Sequence, residues 1–62
     1  MTGIELLIQQ INDKVQQLKE HVSNGNVDDF NEYKKLCGEI RGLLTARGYT
    51  LDLKQRMENS DE

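Results

Sequence analysis

The sequence predicts an all-α fold, a two-helix antiparallel hairpin with coiled-coil-like packing. Apolar residues recur at alternating intervals of three and four residues in both halves of the chain, which is the spacing of helices that pack against each other. The two halves are separated by Ser23-Asn24-Gly25-Asn26, a short segment rich in residues that end helices. Because so short a turn brings its two helices side by side, they are expected to run antiparallel.

The first helix is predicted from about residue 3 to residue 23. Thr2 and Glu5 have the spacing of a capping box, in which each side chain satisfies a free backbone amide of the other residue. The opposite face of this helix is polar apart from Leu6, so it is expected to face water. The apolar seam keeps a heptad pattern without a break, through Ile4, Ile8, Ile11, Val15, Leu18 and Val22.

The turn is predicted at residues 24–27, where glycine and asparagine readily adopt the left-handed conformation that closes a helix. Asn26, Asp28 or Asp29 is expected to cap the second helix, which is predicted over about 28–47. Its apolar seam again steps by three and four residues, through Phe30, Tyr33, Cys37, Ile40 and Leu44, with Leu36 and Leu43 beside it.

The sequence leaves the end of the second helix open. Arg47 occupies the next seam position and Gly48 follows it, so the helix either breaks there or continues as a short extension to about residue 57. The apolar residues compatible with continuation are Leu51, Leu53 and Met57. Residues 58–62 are expected to form a polar, acidic tail.

Composition limits the domain organisation and the range of functions. With 62 residues and no proline, the chain is expected to form a single helical-hairpin domain over residues 1–62. A net charge of −3 argues against binding to nucleic acid, which requires a basic surface. No signal peptide and no membrane span are recognised, and a single cysteine is typical of a protein made for the reducing cytoplasm. We therefore expect neither a nucleic-acid nor a membrane partner.

No group of residues suggests catalysis, a cofactor or a metal site. His21 is the only histidine, and near a helix end a lone histidine is more commonly a capping or solvated residue than a ligand. Cys37 lies on the apolar seam, where cysteine acts as a small hydrophobic residue rather than as a nucleophile. The carboxylates of Asp28, Asp29 and Glu32 are explained by the helix start. We therefore expect a non-enzymatic protein without a cofactor, a metal or a small-molecule substrate.

The candidate functional site is a row of small residues. Gly38, Gly42 and Ala46, which we term the small-residue ridge, recur every four residues on the side of the second helix roughly opposite its seam. Each glycine within a helix costs roughly 1 kcal/mol relative to alanine. Either the ridge is tolerated surface, or it lets a partner helix or backbone approach closely. In the second case Arg41 and Arg47 would add ion pairs at the rim of a protein interface.

One resemblance indicates a biological setting. The Glu32-Tyr33 pair, the run Gly38-Glu39-Ile40-Arg41-Gly42-Leu43 and the acidic end resemble short helical proteins of tailed bacteriophages. Those proteins are encoded among virion assembly genes, in the neighbourhood of the portal and capsid genes. The resemblance covers about half of the chain, chiefly the second helix. It implies a protein of the bacterial host cytoplasm, with its incorporation in the virion left open.

Two functions follow from these expectations. The first is a phage virion structural or assembly component that acts as a protein–protein interaction module on a larger capsid or portal protein, or on copies of itself. The alternative is a small phage-encoded inhibitor that binds a host enzyme or defence complex. Self-association is expected in addition, because a single hairpin leaves one flank of each seam partly uncovered.

Overall fold

The computed structural model describes residues 2–25 and 29–59, which form two α-helices. Helix α1 spans Gly3–Ser23 and helix α2 spans Phe30–Asn59. Of the described residues, 93% are helical and none lies in a strand. The two helices pack against each other as an antiparallel hairpin, which confirms the predicted fold class.

Helix α1 begins and ends through local hydrogen bonds that its sequence provides. The hydroxyl oxygen of Thr2 accepts a hydrogen bond from the backbone amide of Glu5 at 3.2 Å, so one of the free amides of the first turn is satisfied. At the other end the amide of Gly25 donates to the carbonyl of Val22 at 3.4 Å. Gly25 has a φ of +73°, a conformation that glycine adopts without the steric cost of a Cβ atom.

Helix α2 is capped by Asp29, one of the three candidates. Its Oδ1 atom accepts a hydrogen bond from the backbone amide of Glu32 at 2.7 Å, which is the usual geometry of an N-cap side chain. The other two candidates, Asn26 and Asp28, lie outside the described residues, and so does the second half of the predicted turn.

Helix α2 is continuous through Gly48 and ends at Asn59, so the structure contains the extension that the sequence left open. Each i,i+4 ion pair stabilises a helix by roughly 0.2–0.5 kcal/mol, which partly offsets the cost of the glycine. Two such pairs lie in this last part of the helix, Arg56 with Asp52 at 3.1 Å and Lys54 with Glu58 at 3.7 Å. The helix includes residues 58 and 59 of the predicted tail, and residues 60–62 lie outside the described part.

The buried core is small and belongs to α1. Ile11, Val15 and Leu18 are buried, and no residue of α2 is buried. The expected seam of α2 is shifted, because Phe30 and Tyr33 are exposed rather than packed. Half-buried positions of α2 occur instead at Leu36, Cys37, Ile40, Leu43, Leu44, Ala46, Arg47, Thr50 and Lys54.

The hairpin is a single layer of two helices. Its Cα atoms extend over 52 × 19 × 12 Å, so the hairpin is elongated along its helices. Each helix is therefore covered along one side only, and the fold has no second layer to enclose a larger core.

Ile11→Asp is expected to unfold the hairpin. The substitution places an unpaired charge in the buried seam, at a cost of several kcal/mol in a fold with few buried residues. Circular dichroism at 222 nm should show loss of most of the helical signal. Leu6→Asp, at an exposed apolar position of the same helix, is the control and should keep the signal. Full helicity in Ile11→Asp would show that the core lies elsewhere.

Candidate protein interface

The small-residue ridge lies on the outside of the hairpin. Gly38 and Gly42 are exposed, whereas Ala46 is half-buried. A Cβ atom added at either glycine would meet no atom of the described chain within 4 Å. The space above the two glycines is therefore open, and helix α1 does not pack against α2 at these positions.

The two arginines predicted at the rim occupy different environments. Arg41 is exposed on α2. Arg47 is half-buried, and its Nη1 atom donates a hydrogen bond to Oδ1 of Asn12 on helix α1 at 2.6 Å. The guanidinium of Arg47 thus joins the two helices of the hairpin, while the rim contact predicted for Arg41 stays a prediction.

Two large apolar side chains extend the ridge towards the end of α2. Tyr49 follows Gly42 by seven residues and Leu53 follows Ala46 by seven, so both lie two turns further along the same face. Tyr49 is 74% exposed and Leu53 is 50% exposed. We term the ridge together with these two residues the outer face. The seven-residue spacing of Tyr49 and Leu53 is visible in the sequence, but it places them on this face only if α2 continues through Gly48.

A second apolar surface runs along another side of α2, beside the side that packs on α1. Phe30, Cys37, Leu44 and Leu51 follow one another at intervals of seven residues, and Tyr33 lies next to the first of them. The rings of Phe30 and Tyr33 stack with their centroids 6.5 Å apart. We term these five residues the flank stripe, whose exposed members are Phe30, Tyr33 and Leu51.

The flank stripe contains a tyrosine whose ionisation is perturbed. A side-chain hydrogen bond with Cys37 raises the pKa of Tyr33 above its ordinary value of 10.0, the charge of the neighbouring thiolate raises it further, and desolvation adds a smaller effect. This contact therefore favours the folded state below pH 10, and the benefit is lost as the pH rises through the raised pKa.

The ends of the hairpin carry other polar contacts. An open pocket of about 490 Å³ lies between residues 2–5 and the last turns of α2, and its lining mixes apolar with charged side chains. At the turn end, Nε2 of His21 lies 4.0 Å from Oε1 of Glu32 across the two helices.

Residues 2–25 and 29–59 contain no cluster of three or more potential metal ligands. Neither helix, over its described length, is apolar enough to cross a membrane.

Comparison with known proteins assigns no family to the chain. No family model matches it, and neither a curated protein sequence nor a solved structure matches it significantly. The candidate interface therefore rests on the residues and the geometry of α2.

Gly42→Ala is expected to stabilise the isolated protein by up to about 1 kcal/mol, because alanine has the higher helix propensity and its methyl group meets open space. Urea unfolding followed by circular dichroism measures this change. The contrasting variant is Gly25→Ala, which should destabilise the protein by roughly 1–2 kcal/mol because of its left-handed φ. Destabilisation by Gly42→Ala would mean that the space above Gly42 is occupied.

Cys37→Ala, which removes the thiol, is expected to lower the pKa of Tyr33 towards 10.0, because the hydrogen bond and the thiolate charge are both lost. Tyrosinate absorbance at 295 nm during a pH titration measures the change. Both proteins carry Tyr49→Phe, so that Tyr33 is the only tyrosine observed. Identical titration curves with and without Cys37→Ala would show that the thiol does not perturb Tyr33.

Proposed function

We propose that this protein is a structural or assembly component of a phage virion, and that it docks on a larger capsid or portal protein through the outer face of α2. The observation that carries the proposal is the uncovered apolar character of that face. Single exposed apolar residues are common on protein surfaces. Here two open glycine positions lie beside Tyr49 and Leu53 on one side of a continuous helix.

The outer face combines two properties that suit a helix-binding surface. At Gly38 and Gly42 the absence of a Cβ atom lets a partner backbone come close to the α2 backbone, which increases van der Waals contact. Tyr49 then offers a large ring with a polar tip, a residue type enriched at the energetic centre of interfaces. The glycines would set the distance of approach, and the ring would supply buried area.

The energy available from this face is sufficient to matter for binding. Tyr49 is 74% exposed, so full burial removes about 150 Å² from water, worth about 3–4 kcal/mol. Leu53 adds a smaller contribution of the same kind. Association also costs several kcal/mol of translational and rotational entropy, so the exposed Arg41 and further rim contacts are needed to complete the interface.

The setting of the proposal rests on the resemblance of α2 to helical phage proteins of the virion assembly genes. A structural component is expected in purified particles, whereas an inhibitor of a host enzyme or defence complex is expected only in infected cells. Quantitative mass spectrometry of purified particles and of infected cells therefore separates the two functions.

Gly42→Leu and Leu53→Glu are each expected to lower the number of copies per particle at least tenfold without loss of helicity. The leucine side chain fills the space that the partner backbone needs, and the glutamate brings a charge into an apolar contact. Leu6→Glu is the matched control, since Leu6 is 49% exposed on helix α1, and its incorporation should equal that of the parent.

The proposal fails if both α2 variants enter particles as efficiently as the parent. Absence of the parent protein from particles, together with its presence in infected cells, would favour the inhibitor instead.

A further inference from the structure

We propose that the flank stripe is a self-association surface, on which a second copy of this chain packs to form a four-helix bundle. The stripe lies on a different side of α2 from the outer face, so this inference does not depend on docking to a larger partner. We assign a second copy as the occupant for three reasons: the hairpin has a single helix layer, the stripe has the repeat of its own copy, and its exposed area approaches that of a stable dimer.

The single layer of the hairpin shows what is missing from the fold. The described chain has two helices and therefore one layer, and α2 contributes no buried residue. Helical domains reach a stable core by packing a second layer against the apolar stripe of the first. A second copy supplies that layer without requiring any segment beyond the described hairpin.

The repeat of the stripe matches that of its own copy. Its members from Phe30 to Leu51 keep a seven-residue interval over 21 residues, a length of about 32 Å along the helix. A neighbouring heptad row consists of Ile40, Arg47 and Lys54. All three side chains are half-buried, and this row faces α1. Helix α2 thus carries a row that faces α1 and, beside it, a row that is exposed at Phe30 and Leu51 and half-buried at Cys37 and Leu44. A helix of equal period and length fits this second row. A two-fold axis brings the same row from both copies together.

The exposed area is close to what a stable dimer needs. Phe30 is 64% exposed and Tyr33 is 47% exposed, which at roughly 200 Å² per side chain gives about 440 Å² for two copies. Stable interfaces begin at about 1,200 Å², of which roughly 700 Å² is apolar. The remaining area of about 260 Å² has to come from six smaller side chains. Those side chains are Cys37, Leu44 and Leu51 of both copies, and Leu51 is 46% exposed.

Sedimentation equilibrium of the purified 62-residue chain, from micromolar to millimolar concentration, tests the inference. The parent is expected to shift from monomer to dimer, and its melting temperature should rise with concentration. Leu51→Glu and Phe30→Glu should each raise the dimer dissociation constant at least tenfold. Phe30 is the first residue of α2, and a carboxylate is favourable at the start of a helix. Phe30→Glu should therefore keep α2 folded, so it still tests the inference if Leu51→Glu unfolds the helix.

Leu6→Glu is again the matched control, because Leu6 and Leu51 have nearly equal exposure, 49% and 46%, on different helices. It should dimerise like the parent. A parent protein that is monomeric at millimolar concentration overturns the inference, and so does a dimer that Leu6→Glu weakens as much as the stripe variants. Because the readout is the mass of the isolated chain, this result is independent of incorporation into particles.

Discussion

Burial of Ile11, Val15 and Leu18 of α1 against α2 is the interaction on which the described hairpin depends. These three residues form the buried core of the described chain, and every residue of α2 keeps part of its surface in water. The asymmetry has a geometric origin, because a helix with one neighbour can cover only one stripe of its surface. Most apolar residues of helix α1 lie on that stripe, with Leu6 and Leu7 as exposed exceptions, whereas α2 carries more apolar residues than one neighbour can cover. The surplus produces both of the surfaces for which functions are proposed.

Much of this fold could be predicted from the sequence, and the exceptions have physical causes. The unbroken heptad of α1 determines a single buried face, and Thr2 marks where the helix begins. Helix α2 has two adjacent apolar rows, so periodicity alone cannot say which of them faces α1, and Phe30 and Tyr33 were wrongly placed in the contact. Continuity through Gly48 was equally undetermined by the sequence. A glycine inside a helix destabilises it by roughly 1 kcal/mol, and a few local ion pairs stabilise it by a similar amount.

The candidate site was predictable in position but not in extent. Four-residue spacing was sufficient to place Gly38 and Gly42 away from the seam, and the structure has both exposed. Tyr49 and Leu53 belong to the same face only if the helix is continuous, so placing them on that face required the structure. Arg47 shows a different limit, since the partner of a long side chain depends on how the other helix is placed, and local spacing does not contain that information.

The bond between Arg47 and Asn12 has a consequence for how the helices align. Apolar heptads tolerate a slip of one full repeat, because each seam residue then meets another of the same kind. A slip of seven residues would move Asn12 by about 10 Å along α1 and separate the guanidinium of Arg47 from its acceptor. Exposed polar pairs add little stability, so this bond reinforces the register that the short turn and the apolar contacts between the helices set. The uncovered surfaces of α2 therefore keep a fixed position relative to α1, as a surface that is recognised by another chain requires.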